Sequence, residues 1–301
     1  MGNEYDLVIV GSGPAGLSAA VYAARYKMKT LVLGMIPGGM VAEAYQICNF
    51  ISYKKIKGFE FAMKMKEQVD DFGIEINPSK VLEIKKKELF EIITNKETFF
   101  SKKIILATGN EKRKLNIKNE EKYLGKGVSY CAICDAAFFK DKIVSVIGGS
   151  DTALTSALLL SEFAKKVYLI YRQKEFFRAE PLWVEAVEKN NKIEIIFESN
   201  VIELIGENFL EKIKLDNKKI LDSDGLFIEI GSIPSAELAE KLTVELENGF
   251  IKTNKTQRTN IKGIFAAGDV TNNNLKQIIT AAAEGAISAT QIYKEIKGEK
   301  K

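Results

Sequence analysis

The sequence predicts an α/β protein with two Rossmann-like dinucleotide-binding units, each a three-layer arrangement around a central parallel sheet. A short apolar strand, a glycine-rich loop and an alanine-rich helix follow one another at residues 6–27. The same order of features returns about 135 residues later, at 142–171. Alternating patterns at 75–100 and 201–221 predict a small antiparallel β-meander in addition to the parallel strands.

The bulk composition is that of a globular protein of two ordinary domains. The chain has 301 residues, of which 46% are hydrophobic and 28% are charged. Its 44 basic and 40 acidic residues leave a net charge of +4, a weak excess that does not favour nucleic acid or a membrane surface as a partner. The sequence shows no signal-peptide pattern and no apolar run of transmembrane length, and we expect a cytoplasmic protein.

The first glycine loop follows the apolar run Asp6–Val10, which is typical of a buried parallel strand. Gly11–Gly16 has the G-x-G-x-x-G spacing, and Leu17–Lys27 is predicted to be a helix. Glycines at this spacing permit a tight turn and let the backbone approach a pyrophosphate at the helix N-terminus. The alternative is a glycine turn without a ligand. The next strand ends in Leu33-Gly34 rather than in an acid, so the ribose contact is unassigned.

The second glycine loop, Gly148–Ala153, follows the apolar strand Lys142–Ile147 and precedes a predicted helix. Ser150 stands at the middle glycine of the fingerprint, where a Cβ crowds the approach of a pyrophosphate. We predict a second dinucleotide site here, with a decayed site as the alternative. Arg172 and Arg178 follow the next strand, and arginine forks suit a 2′-phosphate, so NADPH is favoured over a merely solvated charge cluster.

A pair of cysteines, Cys131 and Cys134, has the CxxC spacing. A helix is predicted to begin here, and a thiol at a helix N-terminus favours its thiolate form. The alternatives are half of a zinc site or two buried thiols. A zinc site requires more ligands than this pair, and the chain has only one further cysteine, Cys48, and no histidine, so a redox pair is favoured. Cys48 itself is predicted to be a buried thiol. Asp135 is then the nearest ionisable group in sequence for carrying a proton.

Together these motifs resemble the low-molecular-weight thioredoxin reductases over essentially the full length of the chain. The most specific match is Cys131–Asp135, a CxxCD sequence just before a second dinucleotide fold. The other matching pieces are Gly11–Gly16, Gly38-Gly39, Asn49, Ala107-Thr108-Gly109, Gly148–Ala153, Arg172 with Arg178, and Gly263–Val270 followed by Gln277. Met40, Ser150 and Lys276 depart from the family pattern, which has glutamine, glycine and arginine at these positions.

The resemblance implies that residues 1–115 and 243–301 form an FAD-binding domain, and that an NAD(P)H-binding domain, 116–242, is inserted between them and carries the cysteines. It implies that Cys134 faces the flavin, that Cys131 attacks the partner's disulfide, and that Asp135 is the proton donor. The implied partner is thioredoxin or a thioredoxin- or glutaredoxin-like protein. The implied assembly is a homodimer in which one domain of each chain rotates against the other.

The implied cofactors are FAD and NADPH, with NADH as the alternative nucleotide, and no metal is expected. The residues expected at FAD are Gly11, Ser12, Gly13, Pro14, Ala15, Gly16, Gly34, Gly38, Gly39, Met40, Asn49, Val81, Ala107, Thr108, Gly109, Gly268, Asp269, Lys276, Gln277 and Ile278. Those expected at NADPH are Gly148, Gly149, Ser150, Asp151, Thr152, Arg172 and Arg178. Three other functions stay open: the same fold fed by NADH, ferredoxin or a deazaflavin, a flavin-dependent oxidase that forms disulfides, and a flavin-holding redox sensor.

Overall fold

The computed structural model describes residues 4–44 and 46–299 and divides the chain into two compact units. The first unit consists of Met1–Ala42, Ile47–Glu111 and Ile233–Lys301, so it is formed by both ends of the chain. The second consists of Lys112–Ser232 together with the short segment Glu43–Gln46. The second unit is therefore largely a continuous insertion into the first.

The N-terminal part of the chain alternates strands and helices before it turns into a meander. Its elements are β1 (Glu4–Val10), α1 (Pro14–Arg25), β2 (Thr30–Leu33), a 3₁₀ turn (Gly39–Glu43), α2 (Gly58–Asp71), β3 (Glu75–Asn77), β4 (Val81–Lys86), β5 (Phe90–Thr94), β6 (Thr98–Leu106) and β7 (Asn110–Lys112). Pro14 occupies the first turn of α1, where a missing N–H costs nothing.

The middle part repeats the strand–helix pattern and ends in a second meander. Its elements are β8 (Val128–Ser129), α3 (Ala132–Asp135), β9 (Ile143–Ile147), α4 (Asp151–Phe163), β10 (Lys166–Ile170), α5 (Pro181–Glu188), β11 (Ile193–Ile196), β12 (Val201–Ile205), β13 (Lys212–Leu215), β14 (Ile220–Asp222) and β15 (Gly225–Ile228). Two 3₁₀ turns, Glu121–Tyr123 and Ala136–Phe139, complete it.

The C-terminal part begins with β16 (Ser232–Pro234) and α6 (Glu237–Lys241). It continues through β17 (Leu246–Glu247), β18 (Phe250–Ile251) and β19 (Ile264–Ala266) to the long helix α7 (Ile278–Glu299). The sequence predicted a linker over 232–240, and this was wrong for α6. Ala236 and Ala239 are buried in the core of the first unit, and this apolar contact stabilises the short helix.

The sheet of the first unit has the strand order β3-β2-β1-β6-β5-β4, with β19 also paired to β6. β1, β2, β6 and β19 are mutually parallel, and β4, β5 and β6 form an antiparallel meander. In the parallel registers Val10 pairs with Leu33 and Leu106, and Leu106 with Ala266. Four strands therefore end at one edge, and the residues that follow them are brought together there.

The sheet of the second unit is wholly parallel, in the order β11-β10-β9-β15-β8. Ile147, at the end of β9, is in register with Ile170 on one side and with Ile228 on the other. The direction of winding reverses between β9 and β15, and such a switch point is where open α/β sheets bind ligands. The predicted fold class, with two dinucleotide-type folds, is confirmed.

Alternate residues of the strands feed two buried clusters in each unit, as a sheet covered on both faces requires. In the first unit Leu7 and Ile9 pack with α1 and α7, whereas Val8 and Val10 pack with the meander and α6. In the second unit α4 and α5 cover one face and the strands β12–β14 cover the other. Among the described residues, no helix has both the length and the apolar character needed to cross a membrane.

Candidate cofactor and redox sites

The loop after β1 forms an open cradle at the N-terminus of α1. Gly11 has φ +118°, and a Cβ there would lie 2.0 Å from the carbonyl oxygen of Ala107. A Cβ on Gly16 would lie 1.9 Å from the carbonyl oxygen of Gly11, so both positions require glycine. Gly13 is the N-cap of α1, and a Cβ there would meet nothing within 4 Å. No side chain caps this helix end, so the residues fit the pyrophosphate of FAD.

The loop after β2 packs against that cradle. The Ser12 hydroxyl donates to the carbonyl oxygen of Ile36 at 2.8 Å, and Gly38 N–H donates to the Ser12 carbonyl at 2.7 Å. A Cβ on Gly34 would lie 2.4 Å from the Ser12 hydroxyl oxygen, and one on Gly39 would lie 3.4 Å from Gly13. The structure therefore brings these predicted residues together with the first glycine loop.

Two amide side chains from distant parts of the chain meet in the first unit. Asn49 Nδ2 donates to Gln277 Oε1 at 3.0 Å, across 228 residues of sequence. Thr108, at the end of the strand edge, donates its hydroxyl to the carbonyl oxygen of Ser235 at 2.7 Å. Both amides keep further donor and acceptor capacity, whereas the one hydroxyl hydrogen of Thr108 is already used.

A buried carboxylate, Glu284 on α7, organises the loop that follows β19. It accepts hydrogen bonds from the Gly268 N–H at 2.7 Å, from the Thr271 hydroxyl at 3.1 Å and from the Asn273 amide. Glu284 thus fixes the turn at Gly268, which has φ +84°, and with it the position of the next residue, Asp269.

Asp269 and Lys276 form a partly buried pair of titratable groups in this loop. Burial raises the pKa of the Asp269 carboxyl, against the opposing effect of the Lys276 ammonium. Burial likewise lowers the pKa of Lys276, and the nearby carboxylates of Asp269 and Glu284 oppose this. Lys276 Nζ donates to the Thr271 carbonyl and lies 4.2 Å from the centre of the Phe250 ring. The two charges are therefore held in a setting of low polarity, where each strengthens the other's ionised form.

The remaining predicted FAD residues are spread over several elements. Ala107 is buried directly after β6, Val81 is buried at the start of β4, and Gly109 has φ +66°. Ile278 begins α7 and lines a cavity beside α1. Met40, in the 3₁₀ turn, is exposed. Only Ala107 and Gly109 among these come from the strand edge where the glycine loop lies.

The second glycine loop shares the turn geometry of the first but is crowded by an aromatic ring. Gly148 has φ +148°, and a Cβ there would lie 2.2 Å from the Glu229 carbonyl oxygen. A Cβ on Gly149 would lie 2.4 Å from the Tyr171 ring, which is buried and stacks on Phe176 with ring centres 5.6 Å apart. Ser150 is the N-cap of α4 and makes no side-chain capping hydrogen bond, so the helix N-terminus is left free.

The other residues predicted at NADPH lie around the same helix end. Asp151 Oδ1 accepts the backbone N–H of Glu180 at 2.6 Å, which holds the segment before α5 against the start of α4. Thr152 is exposed on the first turn of α4. Arg172 and Arg178 are both exposed, and the Arg178 guanidinium lies 5.3 Å from the centre of the Phe177 ring. The second unit thus offers two exposed arginines, Arg172 directly after the Tyr171 that lies against Gly149, and Arg178 two residues before the Glu180 that bonds to Asp151.

An ion pair between a buried carboxylate and a half-buried lysine lies at the switch point of the second sheet. Glu229, directly after β15, accepts from Lys112 Nζ at 2.9 Å and from the Ser156 hydroxyl at 3.2 Å. Only 4% of the Glu229 side chain is exposed. Burial raises the pKa of this carboxyl, and the Lys112 ammonium opposes the rise. The pair joins the segment that enters the unit to the end of its central strand.

Cys131 and Cys134 form a disulfide, with Cα atoms 5.4 Å apart, just beyond the carboxyl end of β8. The helix predicted to begin at this pair is a single α-helical turn, α3, followed directly by a 3₁₀ turn. Within it the Cys134 N–H donates to Cys131 Sγ at 3.2 Å, and Cys131 is the N-cap. Cys134 is exposed and Cys131 half-buried, and Asp135 ends the turn. The arrangement can exchange disulfide for dithiol with solvent access.

Four residues of these sites were not predicted from the sequence: Glu120, Glu229 and Glu284, which are buried, and Lys112, which is half-buried. Glu229 follows the apolar strand β15, and Glu284 lies in the alanine-rich start of α7. Each is a single acid inside an apolar run, and a buried carboxylate can be predicted from such a pattern. Lys112 and Glu120 lie in polar stretches that carry no such signal. The prediction that Cys48 is buried was wrong, since this thiol is half-buried.

The chain is similar to several known disulfide reductases. The family model described as pyridine nucleotide-disulphide oxidoreductase matches residues 5–285. A thioredoxin reductase of Peptoclostridium acidaminophilum is 37% identical, over 99% of this chain and 98% of the relative. The crystal structure of Lactococcus lactis thioredoxin reductase (FR conformation) has 39% identity and a TM-score of 0.93, over 98% of this chain and 99% of that one. A ferredoxin-flavin thioredoxin reductase of Clostridium acetobutylicum has 35% identity and a TM-score of 0.55, over 98% and 99%.

Proposed function

The chain belongs to the pyridine nucleotide-disulphide oxidoreductase family, and we propose that it passes two electrons from NADPH, through FAD and Cys131–Cys134, to a partner disulfide. The partner is thioredoxin or a thioredoxin- or glutaredoxin-like protein, as the name of the similar thioredoxin reductases suggests. The observation that carries the proposal is the disulfide in a single turn, in a chain that also has two glycine loops at the ends of parallel strands.

We assign FAD to the unit formed by the two chain ends and the pyridine nucleotide to the inserted unit. The open helix end at Gly13 would hold the FAD pyrophosphate. Asn49 and Gln277, which pair at 3.0 Å, and the buried Asp269 would hold the polar groups along the rest of the cofactor. FAD, when bound, supplies the two-electron chemistry that connects a hydride donor to a disulfide.

The cysteines carry the exchange with the partner. Reduction of the Cys131–Cys134 bond consumes two electrons and two protons and leaves a dithiol. The Cys131 thiolate attacks one sulfur of the partner disulfide, so that a mixed disulfide forms and one partner thiolate leaves. The Cys134 thiolate then attacks Cys131 Sγ, which restores the internal disulfide and releases the second partner thiolate. We assign Asp135, the acid next to Cys134, to the transfer of protons to and from these sulfurs.

A comparison of flavin reduction by NADPH and by NADH tests which nucleotide is the electron donor. Arg172 and Arg178 are exposed, follow strand β10 of this unit and suit a 2′-phosphate, so we expect NADPH to bleach the flavin faster than NADH does. Stopped-flow absorbance follows the bleaching, and subsequent addition of oxidised thioredoxin restores the oxidised flavin spectrum. Equal rates with both nucleotides would contradict the role of the arginines, and no turnover of any thioredoxin-type disulfide would contradict the proposed function.

A second candidate keeps the fold and the disulfide but takes electrons from a reduced ferredoxin or a deazaflavin. Two observations favour it: the buried Tyr171 ring fills the space beside Gly149, and Ser150 replaces the middle glycine. Crowding there would exclude the pyrophosphate of a nucleotide. The similar Clostridium acetobutylicum structure is named a ferredoxin-flavin enzyme. No bleaching with either nucleotide, together with bleaching by reduced ferredoxin, would establish this candidate in place of NADPH.

We also infer that two copies of the chain form a homodimer, as the family resemblance implies. A cavity of about 420 Å³ opens between α1, α2 and the start of α7, and aromatic side chains such as Tyr22, Tyr53 and Phe61 line it. Phe59 and Ile279 are exposed on α2 and α7. Covering such an apolar surface with a second copy is favourable. Light scattering after gel filtration would give twice the 33.5 kDa chain mass, and a single chain mass would contradict the dimer.

We place the reaction in the cytoplasm, where thiols are kept reduced.

A further inference from the structure

Every oxygen of one buried carboxylate, that of Glu120, is engaged. Glu120 Oε1 accepts from the backbone N–H of Leu115 at 3.0 Å and from the phenol of Tyr130. Glu120 Oε2 accepts from the backbone N–H of Ile117 at 3.2 Å. The residue is only 5% exposed. A buried carboxylate with this many donors is strongly held, because each hydrogen bond to the charged form offsets part of its lost hydration.

The groups that Glu120 joins come from two functionally different stretches of the second unit. Leu115 and Ile117 belong to the segment through which the chain enters the second unit at Lys112. Tyr130 immediately precedes Cys131, the first cysteine of the redox pair. One side chain therefore connects the entering segment to the flank of the disulfide.

The pKa shifts of Glu120 and Tyr130 are those expected when a neutral phenol donates a hydrogen bond to an ionised carboxyl. Burial alone would raise the pKa of Glu120, but the bonds from Tyr130 and from the backbone more than offset this, so that the pKa lies below its ordinary value. Burial and the Glu120 carboxylate raise the pKa of Tyr130 well above its ordinary value. The phenol is thus held as a donor to Glu120 throughout the working pH range.

The backbone beside Cys131 is fixed by a second contact. The Cys131 N–H donates to the Ser129 hydroxyl at 3.0 Å, and Ser129 is buried in β8. Ser129 therefore holds the backbone before Cys131, and Tyr130 anchors the same stretch by its side chain. A cysteine held in this way loses less conformational freedom when the disulfide forms, which favours the disulfide over the dithiol.

We propose that Glu120 is a positioning residue for the redox pair, which acts through Tyr130 to hold Cys131 and so sets the thiol–disulfide equilibrium of Cys131–Cys134. The proposal rests on the proposed function in one respect, that this pair is redox-active. Glu120 also accepts backbone hydrogen bonds from Leu115 and Ile117, so the same carboxylate connects the entering segment to the flank of Cys131. Neither Glu120 nor Tyr130 touches the sulfur atoms in this assignment.

The test is a redox titration of the full-length, FAD-loaded protein in glutathione buffers, read by thiol trapping, without electron donor or thioredoxin. Tyr130→Phe removes the phenol hydrogen and leaves the backbone contacts of Glu120 in place. Glu120→Gln keeps one acceptor oxygen but weakens both connections. Each variant shifts the equilibrium toward the dithiol by about threefold to tenfold, since one charge-assisted hydrogen bond is lost. The double variant shifts it no further than the larger single effect, because both act through one contact.

Tyr168→Phe is the matched control, because Tyr168 lies on β10 of the same unit, which does not pair with β8. This variant keeps the equilibrium of the original protein. Thermal unfolding of all variants separates positioning from folding. A lower unfolding temperature with an unchanged glutathione equilibrium in both Tyr130→Phe and Glu120→Gln would overturn the proposal. If Glu120→Gln does not fold, Tyr130→Phe alone decides, since it leaves the buried carboxylate with its two backbone donors.

The same titration separates this proposal from the proposed function. If the original pair exchanges with glutathione and the variants match it, only the positioning role is overturned. If the original pair fails to exchange at all, both fall together. A faster reaction of reduced Tyr130→Phe with an alkylating agent at Cys131 would further support the loss of restraint at this cysteine.

Discussion

Glu229 places a carboxylate among apolar strand residues, where an unpaired charge would be very unfavourable. Its two oxygens instead meet Lys112 at 2.9 Å and Ser156 at 3.2 Å. Removing one partner of a buried pair is costly because the other charge is then left without compensation. The two residues are 117 positions apart in sequence, so their contact also fixes the segment that enters the second unit.

Lys112→Met should therefore lower the free energy of unfolding by about 3–5 kcal/mol at neutral pH. Burial already raises the pKa of Glu229, and loss of the ammonium raises it further. A carboxyl with a raised folded-state pKa stabilises the fold below its unfolded pKa and loses that contribution as pH rises. The deficit should thus grow between pH 5 and pH 8 in urea titrations. Lys114→Met, at an exposed lysine, is the control, and equal deficits at both pH values would contradict the assignment.

The cysteines differ in their expected roles. Cys131→Ser should abolish steady reduction of a thioredoxin-type disulfide and leave flavin reduction by the donor unchanged. Cys134→Ser should instead accumulate a mixed disulfide through Cys131, because the resolving thiol is missing. Cys48→Ser is the matched control and should keep full turnover. Mass spectrometry of the trapped complex checks the assignment, and trapping by Cys131→Ser rather than Cys134→Ser would reverse it.

At the scale of elements, the glycines of the first loop serve two different purposes: some permit the tight turn, and one leaves room for a ligand at the helix end. Gly11 and Gly16 are needed for the turn, since a Cβ at either would lie about 2 Å from a backbone oxygen. Gly13 has open space around it and is needed only if a ligand approaches the helix end. The loop thus offers a matched pair of substitutions that distinguishes folding from cofactor binding.

Gly13→Ala should leave the stability of the FAD-free protein within about 1 kcal/mol and weaken FAD binding at least about tenfold. Gly16→Ala should instead lower the stability of the FAD-free protein by more than about 3 kcal/mol, since the Cβ meets backbone that cannot move aside. Thermal unfolding of stripped protein and FAD titration by fluorescence quenching measure the two effects. Unchanged FAD affinity in Gly13→Ala would place the pyrophosphate elsewhere.

The last helix, α7, is tied to the first sheet by a charged cluster. Glu295 accepts from Lys103 Nζ at 3.0 Å and from Arg258 Nε at 2.8 Å, and only 5% of the Lys103 side chain is exposed. Although burial opposes it, the hydrogen bonds from Arg258 and Lys103 lower the pKa of Glu295. This carboxylate therefore stabilises the fold above its unfolded pKa and ceases to do so in acid.

Glu295→Ala should cost about 2–4 kcal/mol at pH 7, because Lys103 is left buried without its partner. The difference from the original protein should shrink as the pH falls below about 4, where the carboxylate is protonated in any case. Lys297→Ala, at an exposed position of the same helix, should change stability by less than about 0.5 kcal/mol. Chemical unfolding at several pH values measures both, and a pH-independent difference would contradict the ion-pair explanation.

At the scale of the whole molecule, each unit has its own sheet and its own buried clusters. The two clusters of the second unit contain residues of 112–232 only, including strands β9, β10 and β15 with α4 and the meander. A unit with a complete core can fold independently of the rest of the chain. The disulfide lies within the same unit.

The fragment 112–232 should therefore fold by itself, with a single cooperative thermal transition and a Cys131–Cys134 disulfide that dithiothreitol reduces. It should bind no FAD, because the first glycine loop is missing. Circular dichroism, thiol counting and FAD titration test this. An expanded fragment without a cooperative transition would show that this core depends on the remainder of the chain.

Short-range patterns were enough to predict both glycine loops, the parallel strands before them and the meanders. The turn geometry at Gly11 and Gly148 depends on residues within a few positions, and the spacing of the glycines records it. The short helical segment predicted at Cys131 is present as one α-helical turn followed by a 3₁₀ turn. Its N-terminal hydrogen bond from Cys131 N–H to the Ser129 hydroxyl is a side-chain contact that the sequence did not indicate. The roles assigned to the predicted site residues stay predictions.

The sequence by itself determined the α/β class, the two dinucleotide-type folds and the CxxC spacing that lets Cys131 and Cys134 form a disulfide, because each follows from neighbouring residues. Only the tertiary structure decided which polar and charged residues share a contact: Glu120 with Tyr130, Lys112 with Glu229, and Lys103 with Glu295. The last two pairs are separated by 117 and 192 residues. Such contacts depend on strand order and helix placement, and these are set by the burial of apolar surface over the whole unit rather than by any local pattern.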